Sequence, residues 1–184
     1  MMEKIWKRIE AWLEENAPDT LADLRPGASE ADVKKAEKAL SVRLPEDMAA
    51  SYAVHDGQRG GSGPLFGDYA LLSLEAAVKE WKTLKKLKSA KVFEFMSGKP
   101  APRVTSDWWN PRWIPVASNS SGDFLCADLD PARSGKPGQI ISFFHADAAR
   151  DLVAKDFKTW LSGFAKDLEA GKYKVDKGYL TKKK

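Results

Sequence analysis

The stretch 112–144, "RWIPVASNSSGDFLCADLDPARSGKPGQIISFF", decides the fold. It holds three β-rich runs, "RWIPVA" (112–117), "DFLCADL" (123–129) and "GQIISFF" (138–144). Between them stand "SNSSG" and "DPARSGKPG", both composed of turn-forming residues. Connections this short join antiparallel neighbours, because a parallel pair needs a crossover of about a dozen residues or more. The stretch therefore predicts a three-stranded antiparallel meander.

On either side of it the apolar period becomes helical. Ile5, Trp6, Ile9, Trp12 and Leu13 share one face of a helix over 3–15. Ser29 opens "SEADVKKAEKAL" with the Ser-x-x-Asp pattern of a capping box, which predicts a helix over 29–40. "LPEDMAASYAVHDG" predicts another over 46–55, with Pro45 at its entry and Gly57 as a left-handed stop. "GQRGGSGPLFGDY" (57–69) reads as an exposed, mobile turn region. A helix over 73–88 carries Leu74, Val78, Trp81, Leu84 and Leu87 inward, and one over 151–169 carries Val153, Phe157, Trp160, Leu161, Phe164 and Leu168. Helices, then strands, then a helix define an α+β class, a mostly antiparallel sheet with helices packed against it. A single domain over 1–171 is expected, followed by a Lys-rich tail, 172–184, that frays at its end.

Composition narrows the function classes. The 184 residues are 43% hydrophobic and 30% charged, with one cysteine, so no internal disulfide can form. The amphipathic start "MMEKIWKRIEAWLEEN" is not a secretory signal, and no apolar run reaches the roughly 18–20 residues of a membrane span. A cytoplasmic protein with no membrane partner is expected. Charge is divided unevenly: residues 1–70 carry 9 basic and 13 acidic groups, residues 71–184 carry 21 and 13. Such polarity favours a charged partner.

The chemistry-bearing residues form no catalytic pattern. His55 and His145 are the two histidines, and with Cys126 they lack the spacing of a structural zinc site. Cys126, inside an apolar strand, reads as a small buried hydrophobe, although a spatial Cys–His pair stays open. Of Asp123, Asp128 and Asp130, turn chemistry accounts for the first and the last. "GQRGGSGPLFG" and "SGKPG" lack the Gly-Lys-Ser/Thr ending of a phosphate loop. Lys79, Lys82, Lys85, Lys86, Lys88 and Lys91 at helical spacing read as a solvated face, with a phosphate-binding stripe as the alternative. Trp113 belongs to a strand. Trp108 and Trp109 precede the Asn110-Pro111 turn, and adjacent strand residues face opposite ways, so one of them is a candidate exposed anchor.

The order of blocks "PGASEADVKKAEKALSVRLPEDMAASYAVHDGQ", "WIPVASNSSGDFLCADLDP", "GKPGQIISFFH" and "VAKDFKTWLSGFAKDLEAG" resembles the SUKH superfamily, named for fungal Smi/Knr cell-wall assembly regulators and related proteins. The resemblance spans about residues 20–171. It implies an α+β domain with no established catalytic centre and no cofactor. Fungal members are regulatory interaction proteins, and many bacterial members are immunity proteins that neutralise polymorphic toxins. Without the long flanks of the fungal proteins, this chain resembles the compact bacterial type. The expectation is thus a non-enzymatic immunity protein whose partner is a cognate toxin. The alternative is a regulatory scaffold; a nucleic-acid binder or an unrecognised enzyme ranks below both. The expected contact face is acidic, around Glu46, Asp47 and Asp56, with Trp108 and Trp109 as aromatic anchors. No metal ligands are expected.

Overall fold

A computed structural model describes residues 1–183. In chain order the elements are α1 (Met2–Asn16), α2 (Pro18–Asp23), α3 (Glu30–Leu40), α4 (Glu46–Tyr52), β1 (Ala70–Leu71), α5 (Leu74–Ser89), β2 (Lys99–Pro100), β3 (Trp113–Ser118), β4 (Phe124–Asp128), β5 (Gln139–Phe143), β6 (Ala149–Arg150), β7 (Leu152–Ala154), α6 (Phe157–Glu169), β8 (Tyr173–Asp176) and β9 (Tyr179–Lys182). The five-stranded sheet has the order β1-β3-β4-β5-β7, and every neighbouring pair in it is antiparallel. The expected meander is β3-β4-β5, and the class is α+β.

Local chemistry explains the helix starts. Ser29 and Asp32 form a full capping box at α3, and the Ser73 hydroxyl accepts from Ala76 N at α5. In β3, Pro115 brings no N–H, and the register shifts between Pro115 and Ala117. The strand tolerates this because β1 pairs only with Ala117 and Ser118, beyond the proline.

Phe124, Cys126 and Asp128 stand opposite Phe143, Ile141 and Gln139, so these six side chains share one face. The 99–111 connection covers it: Gln139 Nε2 donates to Arg103 O at 2.8 Å, and the Arg150 guanidinium lies between the Phe143 and Trp108 rings. Helix α5 packs on β3, and α6 packs on β5, β7 and α1. Trp6 of α1 is fully buried, and its indole donates to the Ser51 hydroxyl of α4 at 2.9 Å.

Three segments depart from the sequence expectations. The 57–69 region is tied down rather than mobile. The Gln58 carboxamide accepts from Leu65 N and Leu71 N and donates to Asp23 and Gly63 O. The buried Asp23 carboxylate also receives Gly60 N and Gly61 N at 3.1 and 2.7 Å. Gly57, at φ 79°, meets the 72–73 backbone so closely that a Cβ would lie 2.3 Å from Ser73 N. Its part is close backbone approach; α4 has already ended at Tyr52.

The expected helix over 151–169 begins only at Phe157, where the Asp156 side chain accepts from Thr159 N at 2.6 Å. Residues 152–154 instead form edge strand β7, with Val153 43% exposed. The end expected to fray, Lys184, lies outside the described residues, and most of the Lys-rich tail is the β8–β9 hairpin. Its two-residue turn, Lys177-Gly178, has both φ angles positive, and Leu180 is buried in the core.

Candidate partner-binding surface

Two of the three acidic residues expected to form the contact face have structural work to do. Glu46 is exposed in the first turn of α4. Next to it, Asp47 accepts from Lys158 N at 2.8 Å, so it caps the start of α6 and fastens α4 to it. Asp56 accepts from Leu74 N at 2.7 Å at the start of α5 and lies 4.0 Å from the Arg25 guanidinium. Carboxylates are favourable at helix N-termini because unpaired N–H groups and the helix dipole meet there. Asp47→Ala is expected to cost about 1 kcal/mol in urea unfolding. Glu46→Ala should stay within about 0.5 kcal/mol. Equal effects from the two would remove the capping role.

The tryptophan pair offers no exposed anchor. Trp108 is 9% exposed and Trp109 1%, which corrects the expectation that one of them faces solvent. The pair escapes the alternation of a strand because residues 108 and 109 form a bend rather than β structure. Both carbonyls are also engaged: Trp108 O accepts from Arg150, and Trp109 O from Lys88 Nζ.

The titratable groups are similarly occupied. His55 lies between Arg25 O at 2.9 Å and the Glu10 carboxylate at 2.7 Å, edge-on to Trp6. The His145 ring contacts Asp123 at 2.8 Å. Burial pushes the Asp123 carboxyl up, but hydrogen bonds from His145 N, the His145 ring and Asn119 outweigh it and hold the group below its ordinary value. Cys126 is fully buried, and burial drives its thiol far above the ordinary range. It does not pair with either histidine. Asp128 and Asp130 hold turns, through Asp130 N and Gln139 for the first and Asn110 for the second. Among the described residues no group of three or more His, Cys, Asp or Glu is placed to hold a metal.

An exposed apolar patch lies just past α5, in a segment for which the sequence predicts no element. Just past α5 the chain turns at Lys91, at φ 60°. There Val92 is 53% exposed, Phe95 96% and Met96 42%, with Leu87 of α5 at 37% rather than inward as expected. Beside this tip is a hollow of about 440 Å³ lined by Phe93, Met96, Trp108 and Trp109 among others. The signal in the sequence was "VFEFM" (92–96), four apolar residues in five, unsupported by helical or strand period. The lysine stripe falls partly on a second concavity, between α3 and α5, lined by Lys79, Lys82 and Lys86.

The α+β fold thus ties its histidines and several of its aspartates into its own structure and leaves an apolar tip exposed. The chain belongs to the SMI1/KNR4 family (SUKH-1), whose family model matches residues 27–163. It is similar to the "Cell wall biosynthesis/cell cycle regulator smi1" of Schizosaccharomyces pombe, 33% identical with 93% of this chain and 37% of that protein covered. It is also similar to the "Glucan synthesis regulatory protein" of Neurospora crassa, 30% identical with 93% and 39% covered. The "Cell wall assembly regulator SMI1" of Saccharomyces cerevisiae is 28% identical, with 93% and 41% covered. The chain therefore spans about two fifths of the length of these relatives. The comparisons overturn the immunity reading: the relatives are fungal and named as regulators of the cell wall, glucan synthesis or the cell cycle. Among the described residues, no helix is long and apolar enough to cross a membrane.

Proposed function

We propose that the chain is a protein-binding domain of the cell-wall regulator type, acting by stoichiometric contact and without catalysis. The observation that carries this reading is the exposed tip of Leu87, Val92, Phe95 and Met96. Leaving a phenylalanine 96% exposed beside other apolar side chains forgoes burial worth about 1.5–3 kcal/mol for that ring alone. Grouped exposed apolar residues of this kind mark interaction surfaces. The names of the fungal relatives supply the biological setting, and the bonded histidines and buried cysteine support action without chemistry. The single buried cysteine suits a cytoplasmic site of action.

Exchange of the matched segment of the Saccharomyces cerevisiae regulator for this chain is expected to support growth under cell-wall stress. Val92→Ser with Phe95→Ser should abolish that support while leaving the urea midpoint unchanged, since both side chains already face water. Full support by a folded double variant would reject the tip as the contact.

A further inference from the structure

We infer that the groove between α3 and α5 binds an acidic, helical segment of a partner protein. The proposal rests on the reading of the chain as a protein-binding domain, but not on the apolar tip. The groove encloses about 800 Å³. Ala36 and Ala39 of α3 and Leu74 and Val78 of α5 give it an apolar lining, while Lys35, Lys79, Lys82 and Lys86 give it cations. From Leu74 to Lys86, α5 runs about 18 Å, a little over three helical turns.

Charge selects the occupant. Lys79, Lys82 and Lys86 fall at i, i+3 and i+7, one face of α5, where like charges cost about 0.2–0.5 kcal/mol per neighbouring pair. Among the described residues none of the four lysines makes an ion pair. Two of the groove's three carboxylates are held by the fold: Asp32 in the α3 capping box, and Asp56 on Leu74 N. The third, Glu75, sits with Asp56 at the N-terminal end of α5, which leaves the Lys79–Lys86 end positive. An anionic ligand would relieve the repulsion along α5.

Shape and lining then separate the anions. Among the described residues no aromatic side chain lines the groove, so nucleic-acid bases would have nothing to stack on. A bilayer surface is too flat to enter a cleft, and neither polyanion fills an apolar floor. A helix with carboxylates on one face and small aliphatic side chains on the other satisfies both walls and floor, in the helix-in-groove mode.

The test is fluorescence anisotropy with the full chain and a labelled peptide of about 14 residues, ~21 Å as a helix. Its Glu and Leu/Ala residues are arranged on opposite helical faces. Controls are a scrambled peptide of the same composition, a single-stranded oligonucleotide, and vesicles containing phosphatidylserine. The amphipathic peptide is expected to bind, and raising salt from about 0.05 to about 0.3 M should weaken it as screening shortens. Lys82→Glu with Lys86→Glu should weaken it at least about tenfold. Ala39→Phe should do likewise at unchanged charge by filling the floor, and it serves as the second variant if the charge reversal fails to fold. Val92→Ser with Phe95→Ser should leave the peptide affinity unchanged, so loss of the tip and loss of the groove are read separately. Equal affinity for the scrambled peptide or for the lysine variant would overturn the proposal. So would no binding of the amphipathic peptide, tighter binding of the oligonucleotide or vesicles, or peptide loss caused by the tip variant alone.

Discussion

Arg150→Ala is expected to be strongly destabilising, at about 3–5 kcal/mol in urea unfolding. Arg150 is fully buried and, among the described residues, makes no ion pair. Its guanidinium is held by carbonyls: Trp108 O at 2.8 Å, and Asp147 O and Ala149 O at 2.6 Å each. Two aromatic faces complete the site, with Phe143 at 4.5 Å and Trp108 at 4.9 Å. Burial pushes the group down to about 10, so it still carries its charge at neutral pH. Truncation to alanine orphans the carbonyls and leaves a cavity between the two rings, and these costs add. Arg150→Lys should recover only part of the loss, because one ammonium cannot reach the same carbonyls in a fork or stack between the rings. A loss below about 1 kcal/mol for alanine would mean that water replaces the guanidinium.

Asp23→Ala should cost about 2–4 kcal/mol and release the glycine-rich loop. The substitution strips the acceptor from Gly60 N, Gly61 N and the Gln58 carboxamide together. Hydrogen exchange at the Gly60 and Gly61 amides should then rise toward the rate of an open chain, while β3–β5 stays protected. Asp23→Asn keeps one acceptor oxygen and should fall between. Acid has the same effect on the parent protein. Burial pushes the Asp23 carboxyl up, yet bonds from Gly61, Gly60, Gln58 and Ser62 outweigh this and hold it below its ordinary value. A carboxyl depressed by folding contributes stability above its unfolded value, near 3.8, and loses it as pH falls through the folded value. Protection of the two amides should therefore persist to more acid pH than an ordinary carboxyl would allow. Amides already fast at neutral pH would refute the arrangement.

What could be read from the sequence was whatever depends on neighbours along the chain. The meander followed from turn residues between β-rich runs, and α3 and α5 from Ser29 and Ser73 beside helical periods. The α6 boundary was missed because Val153 fits the helical spacing, although Asp156-x-x-Thr159 is an equally local signal for the true start. The β8–β9 hairpin was hidden by its lysines: the Tyr173/Val175 and Leu180 alternation is short, and its Lys177-Gly178 turn does not look like Asn-Gly. Long-range pairs left no local trace. Nothing near Asp23 points to Gly60, and nothing near Trp108 announces that Arg150 will cover it. The structural roles within the acidic face were hidden for the same reason. Charge counts found Asp47 and Asp56, but each is held to a helix start in a different part of the sequence.

The two ends of the sheet limit how anything can be recognised. At one end β1 offers two residues, and at the other β7 offers three, with a register shift in its pairing to β5. An incoming extended segment would find no run of free backbone groups long enough to continue the ladder, and blunt edges of this kind are what keep sheets from joining one another. Strand addition at the two ends of the five-stranded sheet is thereby disfavoured. Recognition there has to be written in side chains, and joining of one five-stranded sheet to another is suppressed by the same geometry.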